Sequence, residues 1–158
     1  MKKKEKFRTV RGYEIEKRKK RLPSHSMEDY IEMIYRNLRA NNTVKASVLA
    51  KQLNVSISST TKMMQKLASY GLVDYEKYRN ITLTEEGKKI GFFLLNRHNI
   101  VLEFLINLGI EDKVLTSTEM IEHGIDLNIL NHLDLFNSFF NENPNIKKEF
   151  NKFKKKHQ

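Results

Sequence analysis

The chain has 158 residues, 39% of them hydrophobic, with nine Phe and six Tyr, enough for one ordinary folded unit or two small ones. Six Gly and two Pro supply too few turns for an all-β fold, and the lack of Cys excludes disulfides, thiolate metal sites and a Cys nucleophile, which points to a cytosolic, cytoplasmic protein. The net charge of +10 is uneven: residues 1–21 carry +8, 22–91 carry +3, 92–146 carry −6 and 147–158 carry +5, as expected of a chain whose front half meets phosphate.

Residues 1–21 read as a basic arm, and their charged start lacks the apolar core of a secretory signal. The first helix begins at SMEDYIEMIYRNLRA, with Ser26 as N-cap, Asp29 completing an S-x-x-D box, and Ile31, Ile34, Tyr35 and Leu38 as one apolar stripe. Asn41 and Asn42 end it. A second helix is predicted near Lys45 to Leu53, turning Val48, Leu49 and Leu53 inward, and a third from the N-cap Ser56 to about Tyr70, burying Thr60, Met63, Met64 and Leu67. Gly71 stops it. The period then changes: Leu72, Val73 and Tyr75, and after a polar tip Ile81 and Leu83, read as two short strands.

Thr84 caps a long helix from Glu85 to near Gly109. Its apolar stretch, residues 90–110, is interrupted by Asn96, Arg97, His98, Asn99 and Glu103, so it reads as a buried helix and not a membrane span. Further helices are predicted from about Ser117 to Leu130 and from about Leu133 to Phe140, ending before Pro144. The fold class is therefore mainly α: an N-terminal winged helix-turn-helix over residues 22–91, then an all-helical domain over 92–158 with a basic tail.

In a helix-turn-helix the second helix enters the major groove by its N-terminus, so its first residues should be small and polar, with longer donors one turn later. SISSTTKMMQKL meets that requirement. Ser58, Ser59, Thr61, Lys62, Gln65 and Lys66 lie opposite Met63 and Leu67, and Lys77 and Arg79 on the wing can reach phosphate. A solvated helix face would look alike in isolation. The series of helix, tight turn, polar helix and hairpin favours DNA binding.

Two acidic groups stand out. Asp29 and Glu32 are spaced i, i+3 on the first helix, and Glu119, Glu122 and His123 are spaced i, i+3, i+4 later on, with His98 in a polar notch of the long helix. Carboxylates and imidazoles without sulfur suit Mn2+, Fe2+ or Zn2+ alike, and this many donors could hold two ions per subunit. A dinuclear enzyme could use such a site, but no separate nucleophile or oxyanion stabiliser accompanies it. A metal-independent winged-helix DNA binder is the other alternative.

The stretches SMEDYIEMIY, SSTTKMMQKL, DYEKYRNITLTEEGKKIG, the RH pair at Arg97 and His98, and EMIEH from Glu119 to His123 closely resemble the diphtheria-toxin-repressor family of metal-dependent transcription regulators, over about residues 22–142. The resemblance implies that Asp29, Glu32, His98, Glu119, Glu122 and His123 are the metal ligands. Iron-sensing members carry Met in place of Asp29 and Cys in place of Glu119, so oxygen at both positions favours manganese. The implied function is a manganese-activated repressor of manganese uptake genes, acting as a homodimer on a palindromic operator, with neither membrane nor small-molecule substrate as partner. For dimerisation the sequence offers Leu127, Leu130, Leu133, Phe136, Phe139 and Phe140 together with Ile100 to Ile106, more apolar surface than one small helical module hides.

Overall fold

A computed structural model of the chain describes residues 22–41, 44–77 and 79–157. The basic arm 1–21, Asn42 and Tyr78 lie outside the described residues. In order, the elements are α1 (His25–Arg39), α2 (Ala46–Gln52), α3 (Ile57–Ser69), β1 (Val73–Asp74), β2 (Thr82–Leu83), α4 (Glu85–Asn107), α5 (Val114–Glu122), α6 (Leu127–Glu142) and α7 (Pro144–His157). The chain divides into two units, with the boundary between Phe92 and Phe93 inside α4.

The first unit is three helices and a hairpin. Met27, Ile31 and Ile34 of α1, Leu49 of α2, and Met64 and Leu67 of α3 are buried together with Val73 and Leu83 of the hairpin, and each such aliphatic side chain contributes roughly 1.5–3 kcal/mol on burial. The strands pair antiparallel, Val73 opposite Leu83 and Asp74 opposite Thr82. Thr60, fully buried, donates its hydroxyl proton to Ser56 O at 3.1 Å, leaving its oxygen to accept from Tyr30 Oη at 3.2 Å; α1 is thereby fixed to α3 by a satisfied polar pair. Asn37 and Gln52 exchange amide hydrogen bonds between α1 and α2 at 2.8 and 3.2 Å.

Ser56 caps α3 by accepting from Ser59 N, and Gly71, at φ +70°, ends the turn that follows. The turn between α2 and α3 passes through Asn54 at φ +53°, a conformation Asn tolerates better than other side chains with a Cβ. Thr84 pins the hairpin to α4: its hydroxyl donates to Gly71 O at 2.8 Å and accepts from Gly87 N at 3.1 Å. At Gly91 an added Cβ would lie 2.7 Å from Tyr35 Cβ, so α4 approaches α1 more closely than any residue with a side chain allows.

Several sequence expectations need correction within this unit. Helix α1 starts one residue before the expected N-cap Ser26; Ser24 is the N-cap, without a side-chain bond. Val48 is exposed and Ala50 is buried instead, because α2 is only seven residues long and presents two consecutive positions, Leu49 and Ala50, to the core.

In the second unit Ile100, Val101 and Leu105 of α4 form a core with Leu130 of α6, flanked by Phe104, Val114, Ile125 and Leu133. Aromatic contacts extend it: Phe104 meets Phe136 edge-on at 5.3 Å, Phe136 stacks on Phe140 at 4.5 Å, and Phe140 meets Phe150 of α7 at 5.8 Å. Asn137, buried, donates to Ile100 O at 2.9 Å and accepts from Asn107, whose own oxygen accepts from Lys147 Nζ at 2.8 Å. Lys154 Nζ donates to Leu108 O and Gly109 O at 2.8 and 3.0 Å, a cation at the carbonyl end of α4.

The helix limits predicted here were misplaced. One helix expected over 117–130 is two, because the chain turns at His123 and Gly124 and restarts at Asp126, whose carboxylate accepts from Ile129 N at 2.8 Å. Pro144 opens α7 and does not merely end α6, since Pro suits the first position of a helix, where no hydrogen bond from its nitrogen is required. The apolar set offered for dimerisation also divides. Leu130 and Phe140 are buried within the unit, whereas Leu127 and Phe139 of α6 remain exposed.

Candidate metal centre and nucleic-acid interface

The surface of α3 carries the polar series. Ser58, Ser59, Lys62, Gln65 and Lys66 are exposed and Thr61 is half-buried, while Met64 and Leu67 point inward; Met63, expected inside, is only half-buried. Ser59 has a second role, since its hydroxyl accepts from Ser56 Oγ at 2.8 Å in the first turn of the helix. Lys77 and Arg79 lie on the wing, where Arg79 pairs with Glu76 at 2.8 Å. Both partners of that pair are well exposed, so it is weak and a phosphate can replace it. A hollow beside α3 is lined by Lys45, Ser47, Ile57, Thr61, Lys77 and Arg79. Lys45 and Ser47, at the start of α2, place a cation and a hydroxyl beside the residues expected from the sequence.

The second cluster is built from α4 and α5. His98 projects from α4 and is buried. Glu119 and Glu122 project from the same side of α5, and His123 is its C-cap. The imidazole Nδ1 of His98 lies 2.9 Å from Glu122 Oε2 and 3.4 Å from Glu119 Oε1. One ligand atom from each of these three residues falls within 4.8 Å of the others. Arg97 Nη2 lies 3.3 Å from His123 Nδ1 and 4.0 Å from Glu122 Oε1.

The approach of His98 to Glu122 is close without being a formed hydrogen bond: His98 Nδ1 and both carboxylate oxygens of Glu122 are buried with no hydrogen-bond partner among the described residues. Glu122 is fully buried. An orphaned carboxylate of this kind is costly in a protein interior, where two like charges directed at one nitrogen cannot both be satisfied by its single proton. A divalent cation is the simplest group that fits, because it accepts an imidazole nitrogen and several carboxylate oxygens at once. Nitrogen and oxygen donors without sulfur suit manganese, ferrous iron or zinc.

The remaining expected ligands, Asp29 and Glu32, lie on α1 in the first unit. Asp29 is half-buried, and Glu32 is buried with its Oε1 accepting from Arg36 Nε at 2.9 Å. Among the described residues no helix is long and apolar enough to cross a membrane.

A winged helix with a polar reading helix, followed by a helical unit in which imidazole and carboxylates converge, defines a metal-responsive DNA-binding regulator. The pattern of the iron-dependent repressor N-terminal DNA-binding domain matches residues 24–81, and that of the iron-dependent repressor metal-binding and dimerisation domain matches residues 84–151. The chain belongs to this iron-dependent repressor family, and it is a transcription regulator, not an enzyme. It is 41% identical over 128 residues to the HTH-type transcriptional regulator MntR of Oceanobacillus iheyensis, covering 80% of this chain and 87% of that one. To MntR of Bacillus subtilis it is 39% identical over 132 residues, covering 83% and 93%. Among solved structures, a manganese-dependent transcriptional repressor in complex with manganese matches at TM-score 0.61 and 30% identity, and the manganese regulator SloR at 0.62 and 27%. These cover 71% and 70% of this chain, which spans about half the length of either (52%).

Proposed function

We propose that this protein is a manganese-activated repressor that binds a palindromic operator as a homodimer in the cytoplasm and controls manganese uptake genes. The observation that carries the reading is the convergence of His98, Glu119 and Glu122, with the Glu122 carboxylate buried and lacking a hydrogen-bond partner among the described residues. The names of the relatives support manganese as the ion. The full ligand set is Asp29, Glu32, His98, Glu119, Glu122 and His123, enough for two ions per subunit, with Fe2+ and Zn2+ as competitors.

A bound divalent cation supplies positive charge that offsets the repulsion among these carboxylates. Glu122 and His98 hold their side chains in the interior, so they meet a ligand without first losing their hydration. Glu119 is the exposed member of the three. Ser58, Ser59, Thr61, Lys62, Gln65 and Lys66 face the bases, and Lys77 and Arg79 face phosphate. Because Asp29 and Glu32 belong to the unit that reads DNA and the other four ligands follow the unit boundary, ion affinity and DNA affinity are linked and rise together.

The test is operator binding titrated with Mn2+, Fe2+ and Zn2+ at matched salt, beside a chelated control. Tightening by Mn2+ at lower free concentration than by the other ions is the expected result. Equal operator affinity with manganese and with chelator would overturn the proposal.

A further inference from the structure

A cation of the chain's own lies among the expected ligands: the guanidinium of Arg97. Arg97 is itself buried, and its Nη2 is 3.3 Å from His123 Nδ1 and 4.0 Å from Glu122 Oε1. A guanidinium has donors only and keeps its proton at any physiological pH. The contact with His123 therefore uses the Nδ1 lone pair, which places the ring proton of a neutral imidazole on Nε2. A metal at Nδ1 would take the position Arg97 occupies, and a metal at Nε2 would move the ring proton to Nδ1, where it meets the guanidinium, so ligation through either nitrogen displaces the contact. The same guanidinium brings positive charge beside the buried carboxylate of Glu122.

We infer that Arg97 is a built-in competitor for the metal: it holds His123 Nδ1 and offsets the charge of Glu122 in the metal-free protein, and so sets the ion concentration at which the regulator responds. This rests on the ligand assignment proposed above. Two consequences follow from the contacts. Binding of the ion at His123 requires the Arg97 contact to be released, and a fixed cation beside the ligands opposes a second cation there. Arg97 thus stabilises the metal-free state and weakens the metal-bound one. A residue that merely oriented His123 would strengthen metal binding.

The experiment compares wild type, Arg97→Gln, Arg97→Lys and Glu122→Gln as full-length protein. Free Mn2+ is read by its electron paramagnetic resonance signal during titration, and thermal midpoints are read in chelator. Arg97→Gln should bind Mn2+ at least about tenfold more tightly, equivalent to about 1.4 kcal/mol, and should melt at lower temperature in chelator. Arg97→Lys, which keeps the charge but loses the fork, should fall between the two. If Arg97→Gln is unfolded in chelator, the comparison passes to Arg97→Lys, which must still bind Mn2+ more tightly than wild type. The folded variant binding Mn2+ no more tightly than wild type overturns the inference. Glu122→Gln separates the two claims, because unaltered Mn2+ binding in that variant would remove the ligand assignment itself.

Discussion

The two units treat buried polar groups in opposite ways. In the winged unit Thr60 is saturated by Tyr30 and Ser56 O, Asn37 by Gln52 and Met33 O, and the core between them is apolar. In the helical unit Asn137 and Asn107 are satisfied at the α6 side, but around α5 a carboxylate, an imidazole and a guanidinium are buried together and the Glu122 oxygens have no hydrogen bond among the described residues. Polar groups are normally satisfied on folding, so a cluster that is not is one held ready for a ligand. The first unit is organised to keep one shape. The second keeps an unmet electrostatic demand, and that demand is what an ion can act on.

The sharpest way to break this contrast is Glu122→Gln. Operator affinity should lose the whole manganese-linked factor, about 5- to 150-fold for a coupling of ordinary size, while the thermal midpoint in chelator falls, because the buried guanidinium of Arg97 loses the negative charge beside it. Operator affinity that still tightens with manganese in this variant would mean that the carboxylate is only structural. The counterpart in the other unit is Leu67→Ala, which removes a fully buried side chain from the apolar core. It should cost about 2–5 kcal/mol in denaturant unfolding and weaken DNA binding with and without manganese alike. Destabilisation below about 1 kcal/mol would show that this core is less tightly packed than its burial implies.

Smaller effects should separate the two kinds of DNA contact. Lys62→Ala on α3 should lose about 1–3 kcal/mol on operator and much less on scrambled duplex if the side chain reaches a base. Lys77→Ala on the wing should weaken both duplexes equally and reduce the slope of log affinity against log salt by about 0.9. The smallest expected change is Ser56→Ala, which deletes the α3 cap bond to Ser59 N and the hydroxyl contact to Ser59. It should lower stability by about 1 kcal/mol, with no change in ion preference.

Much of the winged unit was legible because its signals are local. Ser56, Gly71 and Thr84 each act on backbone groups within a few residues, or across one tight turn, and each stands where the chemistry places it. The exposure of Val48 was not legible, since seven residues of α2 are too few to display a period. The break between α5 and α6 was hidden by apolar residues on either side, Ile121, Ile125 and Leu127, although Gly124 and the cap Asp126 were the signals available. For the site, the i, i+3 spacing of Glu119 and Glu122 was readable as one helical face, but their unequal burial was not. Glu122 is enclosed and Glu119 exposed, which depends on how α5 packs and not on spacing. The grip of Arg97 on His123 is likewise a product of tertiary packing, between residues 26 apart in sequence.

The linkage of ion and DNA can be measured from the metal side. Mn2+ affinity is determined by titration of the full-length protein, once alone and once with saturating operator duplex, at one salt concentration. Reciprocity requires that operator raise Mn2+ affinity by the same factor by which Mn2+ raises operator affinity. The account predicts that shared factor in wild type and its disappearance in Glu122→Gln. Equal Mn2+ affinity with and without operator in the wild-type protein would contradict it.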